Sequence, residues 1–164
     1  MTTETISIFG TGGTLDKVYN ETQGTLSFEK SQLAEILKQS RSNTKIEIQE
    51  LMLVDSLDMQ TSQRAAIVSQ CKNAVNSKII ITHGTDTMVT TAAEIAKENL
   101  QKTIVLTGAM IPYQVHNSDA LFNLGSALAF VQTLPIGVYI AMNGRYFPWN
   151  DVQKNKELGV FENL

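Results

Sequence analysis

Ile79-Ile-Ile-Thr-His-Gly-Thr-Asp-Thr87 joins three apolar, β-branched residues to a glycine turn, and a run of helical period follows to about Asn99. A short apolar run bounded by turn residues reads as a buried strand, and Thr87 is suited to cap the helix behind it. The same strand, loop, helix order recurs on both sides of this stretch. Ile6–Phe9, Ile46–Leu53, Thr103–Thr107 and Ile136–Met142 read as further strands. Ser31–Ser40 reads as a helix, with Leu33, Ile36 and Leu37 at i, i+3 and i+4. A helix from an N-cap at Thr61 to about Val75 would bury the Arg64 stem, Val68, Cys71 and Val75. Another starts at Ser118 or Asp119 and runs through Ala129. Gly10–Ser27 is polar, carries several glycines and shows no sustained period, so it reads as a loop, and Asn143–Leu164 is mixed.

Alternation repeated this often predicts parallel βαβ units in one three-layer α/β/α domain over residues 1–164. The sheet is expected to be mostly parallel and Rossmann/flavodoxin-like, because near-continuous apolar strands need helices on both faces.

Composition narrows the function. Of 164 residues, 13 are Lys or Arg and 16 Asp or Glu, a formal charge of −3. That balance offers no footprint for nucleic acid or for a membrane surface. With 43% hydrophobic and 18% charged residues the chain is not disordered. A single Cys excludes an internal disulfide and a Cys-cluster metal site. Met1-Thr-Thr-Glu-Thr5 lacks the basic start of a signal peptide, and Ile6-Ser-Ile-Phe9 is too short for its apolar region. The expectation is a soluble, cytoplasmic protein.

The polar chemistry follows the strands: Gly10-Thr-Gly-Gly-Thr14, Val54-Asp-Ser-Leu-Asp-Met59, Thr82-His-Gly-Thr-Asp-Thr87 and Thr107-Gly-Ala-Met110. In an open parallel sheet these loops share the carboxyl edge, where ligands bind. Gly10-x-Gly12 begins like a dinucleotide fingerprint, but Leu15 stands at the third Gly position and no Gly-Lys-Ser/Thr follows. Hydroxyl nucleophiles need a neighbouring base. His83, at a strand end, reads as a buried hydrogen-bonding residue; with only His116 besides, neither a metal pair nor a serine triad forms. A desolvated lysine remains the candidate base for a threonine nucleophile. The bland alternative for His83-Gly-Thr-Asp-Thr87 is that Asp86 or Thr87 merely caps the helix.

Thr11-Gly-Gly-Thr14-Leu, Ser56-Leu-Asp-Met59, His83-Gly-Thr-Asp-Thr-Met88, Thr107-Gly-Ala-Met-Ile-Pro112, and Ser118-Asp119 with Asn123-Leu124 occur in this order. Together they resemble the N-terminal catalytic domain of bacterial-type L-asparaginases, over nearly the whole chain. Asp151-Val-Gln-Lys154 is similar to that family's lysine motif. The resemblance implies an amidohydrolase that converts L-asparagine to L-aspartate and ammonia through an acyl-enzyme, without metal or organic cofactor. It implies Thr14 as nucleophile, and Thr85, Lys154 and Asp86 as the supporting set. Asp86 would also meet the substrate amino group and Ser56 its carboxylate. Backbone N–H groups around Thr14 and Thr85, at Gly13 and Gly84, would stabilise the oxyanion.

Three departures bear on this. Leu57 stands where the family usually has a polar residue beside the carboxylate-binding serine. The family's loop tyrosine aligns with Thr25, and the nearest tyrosine is Tyr19, which could swing in from a lid or be an ordinary surface aromatic. The family's smaller C-terminal domain has no counterpart in residues 1–164, which suggests a short-chain form with an open site, covered in a homodimer or higher homo-oligomer. The rival expectations are an amidase preferring glutamine, D-asparagine or a simpler amide, and a non-catalytic Asn/Asp-binding module.

Overall fold

Strand β1 (Ile6–Gly12) is buried along its whole length, and the sheet is built outward from it. The computed structural model describes residues 4–164, so Met1–Thr3, on which the leader expectation partly rests, lie outside the described residues. After β1 come a 3₁₀ turn (Thr14–Asp16), strands β2 (Lys17–Asn20) and β3 (Thr25–Phe28), and helix α1 (Leu33–Ser40). Next are β4 (Ile46–Val54), α2 (Thr61–Asn73), β5 (Lys78–Thr82), α3 (Met88–Ala96) and β6 (Thr103–Thr107). The chain continues through α4 (Ala120–Thr133), β7 (Gly137–Met142), β8 (Arg145–Pro148), β9 (Gln153–Asn155) and β10 (Val160–Glu162).

The six-stranded sheet has the order β4-β1-β5-β6-β7-β8. The first five strands are mutually parallel, and β8 pairs antiparallel with β7. Counting parallel strands along the chain, the order is 2-1-3-4-5, the flavodoxin-like arrangement with its switch point between β1 and β5. Alternate residues feed two cores. Ile6, Ile8, Ile80, Val105 and Ala141 join Leu33 and Ile36 of α1 and Leu124 and Leu128 of α4. Phe9, Ile79, Ile81, Ile104 and Leu106 join Ile67 and Cys71 of α2 and Ala92 and Ile95 of α3. The three-layer α/β expectation holds. Among the described residues no helix is long and apolar enough to cross a membrane.

Three sequence expectations need correction. The stretch read as a loop, Gly10–Ser27, holds the end of β1, the 3₁₀ turn and the β2–β3 hairpin. Its strands are only four residues long, too short for a period to register. Helix α2 starts behind Gln60, whose N–H donates to Gln63 Oε1 at 2.7 Å, not behind Thr61. It ends at Asn73, leaving Val75 99% exposed beyond it; the inner stripe is Ile67, Val68 and Cys71. The mixed tail forms three strands. Asn143 (φ 56°) and Gly144 (φ 76°) are the two-residue turn between β7 and β8, the Asn-Gly hairpin signal.

The other two hairpins share one turn. Asn20-Glu-Thr-Gln-Gly24 and Asn155-Lys-Glu-Leu-Gly159 each begin with an Asn whose Oδ1 accepts the N–H groups two and three residues on. Each ends on a Gly with φ of 67° or 65°, whose N–H donates to the Asn carbonyl at 2.8 or 2.9 Å. The Asn side chain closes the turn locally and the Gly takes the left-handed conformation without steric cost.

Candidate active site

At the carboxyl ends of β1 and β5 three loops meet backbone against backbone. A Cβ on Gly12 (φ 92°) would collide with Val54, one on Gly13 (φ 76°) with Gly84, and one on Gly84 with Ser56. The glycines of Gly12-Gly13 and His83-Gly84 are therefore required by close packing of loops, not by a phosphate. The contact sets Thr14, the first residue of the 3₁₀ turn, on the turn next to Thr85.

The expected supporting set is assembled. Lys154 Nζ donates to Thr85 Oγ1 at 2.8 Å and to Asp86 Oδ1 at 2.7 Å. The Lys154 side chain is 12% exposed and Thr85 is 5% exposed, so the lysine–threonine bond is shielded from water, while the Asp86 side chain, 33% exposed, opens to solvent. Lys154 reaches it from β9, where it pairs with Phe161 of β10. The capping alternative fails: the Asp86 carboxylate is taken by Lys154, and Thr87, at the N-cap of α3, makes no side-chain cap bond.

Two other threonines near the strand ends bond to the backbone of a neighbouring strand. Thr11 Oγ1 donates to Thr82 O at 2.7 Å and Thr107 Oγ1 to Ala141 O at 2.8 Å. The half-buried Thr14 hydroxyl has no hydrogen bond among the described residues. Ser56 is 1% exposed, and its Oγ is buried without a partner beside Gly84. Tyr19 is not brought in: it stands on β2, 62% exposed. Leu57 is 70% exposed, and its N–H is held by Asp55 Oδ1 at 3.1 Å.

Sequence reasoning misses several residues of the site. Lys17 and Asp55 form an ion pair at 2.5 Å between β2 and the Ser56 loop, and it holds the Asp55 carboxyl below its usual range. Asp16, just behind Thr14, is fully buried; Oδ1 accepts Gln32 N–H at 2.6 Å, and Oδ2 has no partner. Burial pushes its pKa up to about 6. His83 is buried, as expected, and desolvation pushes it down to about 4. Its ring nitrogens meet Gly84 O at 2.9 Å and Thr91 Oγ1 at 2.8 Å. Arg64 Nη1 donates to Thr91 Oγ1 at 2.6 Å and Nη2 to Thr87 Oγ1 at 3.1 Å, and Thr87 Oγ1 donates to Ser56 O at 2.9 Å. Thr87 and Thr91, at i and i+4 on one helix, are the signal that could have found this network. Among the described residues no cluster of three His, Cys, Asp or Glu side chains could hold a metal.

Comparison with known proteins agrees with the motifs. The family model described as asparaginase, N-terminal, matches residues 5–161. The L-asparaginase of Thermococcus kodakarensis is 30% identical over 158 residues, covering 93% of this chain and 48% of that protein. A chain of the glutamyl-tRNA(Gln) amidotransferase of Pyrococcus furiosus is 32% identical over 147 residues, covering 85% of this chain and 34% of that protein. The solved structure of the thermostable T. kodakarensis L-asparaginase superposes with a TM-score of 0.83 at 30% identity, over 98% of this chain and 51% of that one. The chain thus spans about a third to about a half of the length of the relatives it matches.

Proposed function

The chain belongs to the asparaginase family, and on that premise we propose that it hydrolyses the side-chain amide of L-asparagine to L-aspartate and ammonia. Thr14 Oγ attacks the amide carbon and loses its proton. The C–N bond breaks, the nitrogen gains that proton, and ammonia leaves an ester on Thr14. Water then adds to the ester, aspartate departs, and the Thr14 hydroxyl is restored. Thr85 and Lys154 are the groups that move the proton; the lysine lies 2.8 Å from the Thr85 hydroxyl. N–H groups at the Gly13 and Gly84 turns would hold the oxyanion. Ser56 would donate its unsatisfied hydroxyl to the substrate carboxylate, and Asp86 would face the substrate ammonium. Tyr19 would act only after its hairpin closes over the site.

The observation that carries this reading is the bridge from Lys154 to the buried Thr85 hydroxyl and to Asp86. A binding module has no use for a second shielded hydroxyl with its own lysine. We extend the proposal to residues 1–164 as one catalytic domain, to a cytoplasmic location and to a homo-oligomer, the exposed Leu57 leaving the rim of the crevice open. Fractionation and light scattering check the last two.

A second reading keeps the chemistry and changes the amide. It rests on Leu57, which offers no hydrogen bond to a substrate amino group, and on the similarity to the amidotransferase chain. Ammonia release from L-asparagine, L-glutamine and D-asparagine, by wild type and Thr14→Ala, tests both. Turnover of asparagine that vanishes in the variant supports the first reading, and a higher kcat/KM for glutamine the second. Calorimetric aspartate binding without any turnover would leave a binding module.

A further inference from the structure

Arg64 lies on α2, outside the proposed catalytic set, yet its two terminal nitrogens enter two hydrogen-bond chains that end on the site loops. One runs Arg64 Nη1, Thr91 Oγ1, His83 ring, Gly84 O, at 2.6, 2.8 and 2.9 Å. The other runs Arg64 Nη2, Thr87 Oγ1, Ser56 O, at 3.1 and 2.9 Å.

The proton positions follow from valence. A carbonyl oxygen only accepts, so His83 Nδ1 carries a proton and donates to Gly84 O. Burial and the nearby Arg64 charge keep the ring neutral, so Nε2 is an acceptor. Thr91 therefore spends its single proton on Nε2, and its oxygen is free to accept from Arg64, which has only donors. In the second chain Ser56 O takes the Thr87 proton, and Thr87 Oγ1 accepts from Arg64. Both chains point away from the guanidinium.

Each chain fixes one peptide plane. Holding Gly84 O orients the Gly84–Thr85 peptide, and with it the Thr85 N–H and the approach of Thr85 to Lys154. Holding Ser56 O orients the Ser56–Leu57 peptide behind the unpartnered Ser56 hydroxyl. We infer that Arg64 is a positioning residue that sets both halves of the site, with Thr91–His83 aligning the reaction half and Thr87 aligning the substrate-carboxylate half. This rests on the proposed amide hydrolysis for its kinetic consequences and not for its hydrogen-bond directions.

The two arms are separable. Thr91→Val should lower kcat about tenfold and leave KM nearly unchanged, and Thr87→Val should do the reverse, the size expected for slight misplacement of one group. Thr87→Val should also weaken aspartate binding about tenfold by calorimetry, a readout that needs no turnover. Thr→Ser at either position should restore wild-type values, because the hydroxyl is retained. Arg64→Met should show both defects, and Arg64→Lys should rescue only in part, since one ammonium cannot replace a fork. Imidazole nitrogen NMR on the wild type should show His83 as the neutral Nδ1–H tautomer.

An Nε2–H tautomer would overturn the inference whatever the kinetics. So would Thr91→Val and Thr87→Val variants that lose thermal stability while keeping wild-type kcat and KM per folded molecule, which would make the network purely structural. A wild type without turnover on any amide would remove the function reading, and the tautomer and aspartate binding would still decide the network.

Discussion

The β2–β3 and β9–β10 hairpins are closed by the same five-residue turn, but only one is anchored in a core cluster. In β9–β10, Phe161 is 3% exposed in the core with Val152, and Phe161 N–H donates to Asn143 Oδ1 at 2.9 Å. In β2–β3, Val18 is buried, while Tyr19 and Leu26 lie 62% and 46% exposed. Its side-chain tie to the neighbouring loop is the Lys17–Asp55 ion pair, screened by solvent and worth roughly 1 kcal/mol or less. The anchored hairpin carries Lys154 and the loose one carries Tyr19. Turn chemistry builds a hairpin; packing of its side chains into a core cluster decides how firmly it holds the group it carries.

The strongest way to break this contrast is at the cargo. Lys154→Met should lower kcat for ammonia release by about 10²–10⁴, the usual worth of a general acid–base group. Tyr19→Phe should leave the apo fold unchanged, and a chemical melt of both variants checks that the lysine effect is not unfolding. The next test is at the anchors. Phe161→Ala should destabilise by about 3–5 kcal/mol in urea, whereas Leu26→Ala on the other hairpin should stay within about 0.5 kcal/mol.

Asp16 sits at the root of the loose hairpin and sharpens the comparison through pH. Its carboxyl is raised from 3.8 to about 6 in the folded protein. The folded state therefore binds the proton more tightly, and Asp16 costs stability progressively as pH rises from about 4 to about 6. Asp16→Asn should remove that slope and raise stability at pH 7 by up to about 3 kcal/mol. Urea melts of both proteins, in a series from about pH 3.5 to about pH 7.5, read it. The smallest effect concerns the shared turn. Ala at Gly24 or Gly159 meets the same left-handed penalty of about 1 kcal/mol. Global stability should fall only for Gly159→Ala, because the loose hairpin opens locally, with faster amide exchange in Lys17–Phe28.

Most of the parallel strands and helices are legible as runs of apolar period, as Ile79–Thr82 and Leu33–Leu37 are; α2 is the weak case, because Ile67, Val68 and Cys71 make too narrow a stripe to fix its bounds. The hairpins are not legible in this way, since strands of three or four residues are too short to establish a period; their signals lie in the turns, at Asn20 and Gly24, Asn143 and Gly144, Asn155 and Gly159. Placing Lys154 depends on resemblance, because no local pattern tells a β9 lysine that it meets Thr85, 69 residues away in sequence. Arg64 reads from sequence as an apolar stem in a helix stripe. Its guanidinium partners lie on α3, and only the packed sheet brings them within reach.

The most direct test is acid-quenched peptide mass spectrometry during turnover of L-asparagine. An aspartyl ester on the peptide containing Thr14, formed by wild type and lost or greatly slowed in Lys154→Met, is the predicted result. An ester on Thr85 or elsewhere, or undiminished acylation of Thr14 without the lysine, would contradict the account.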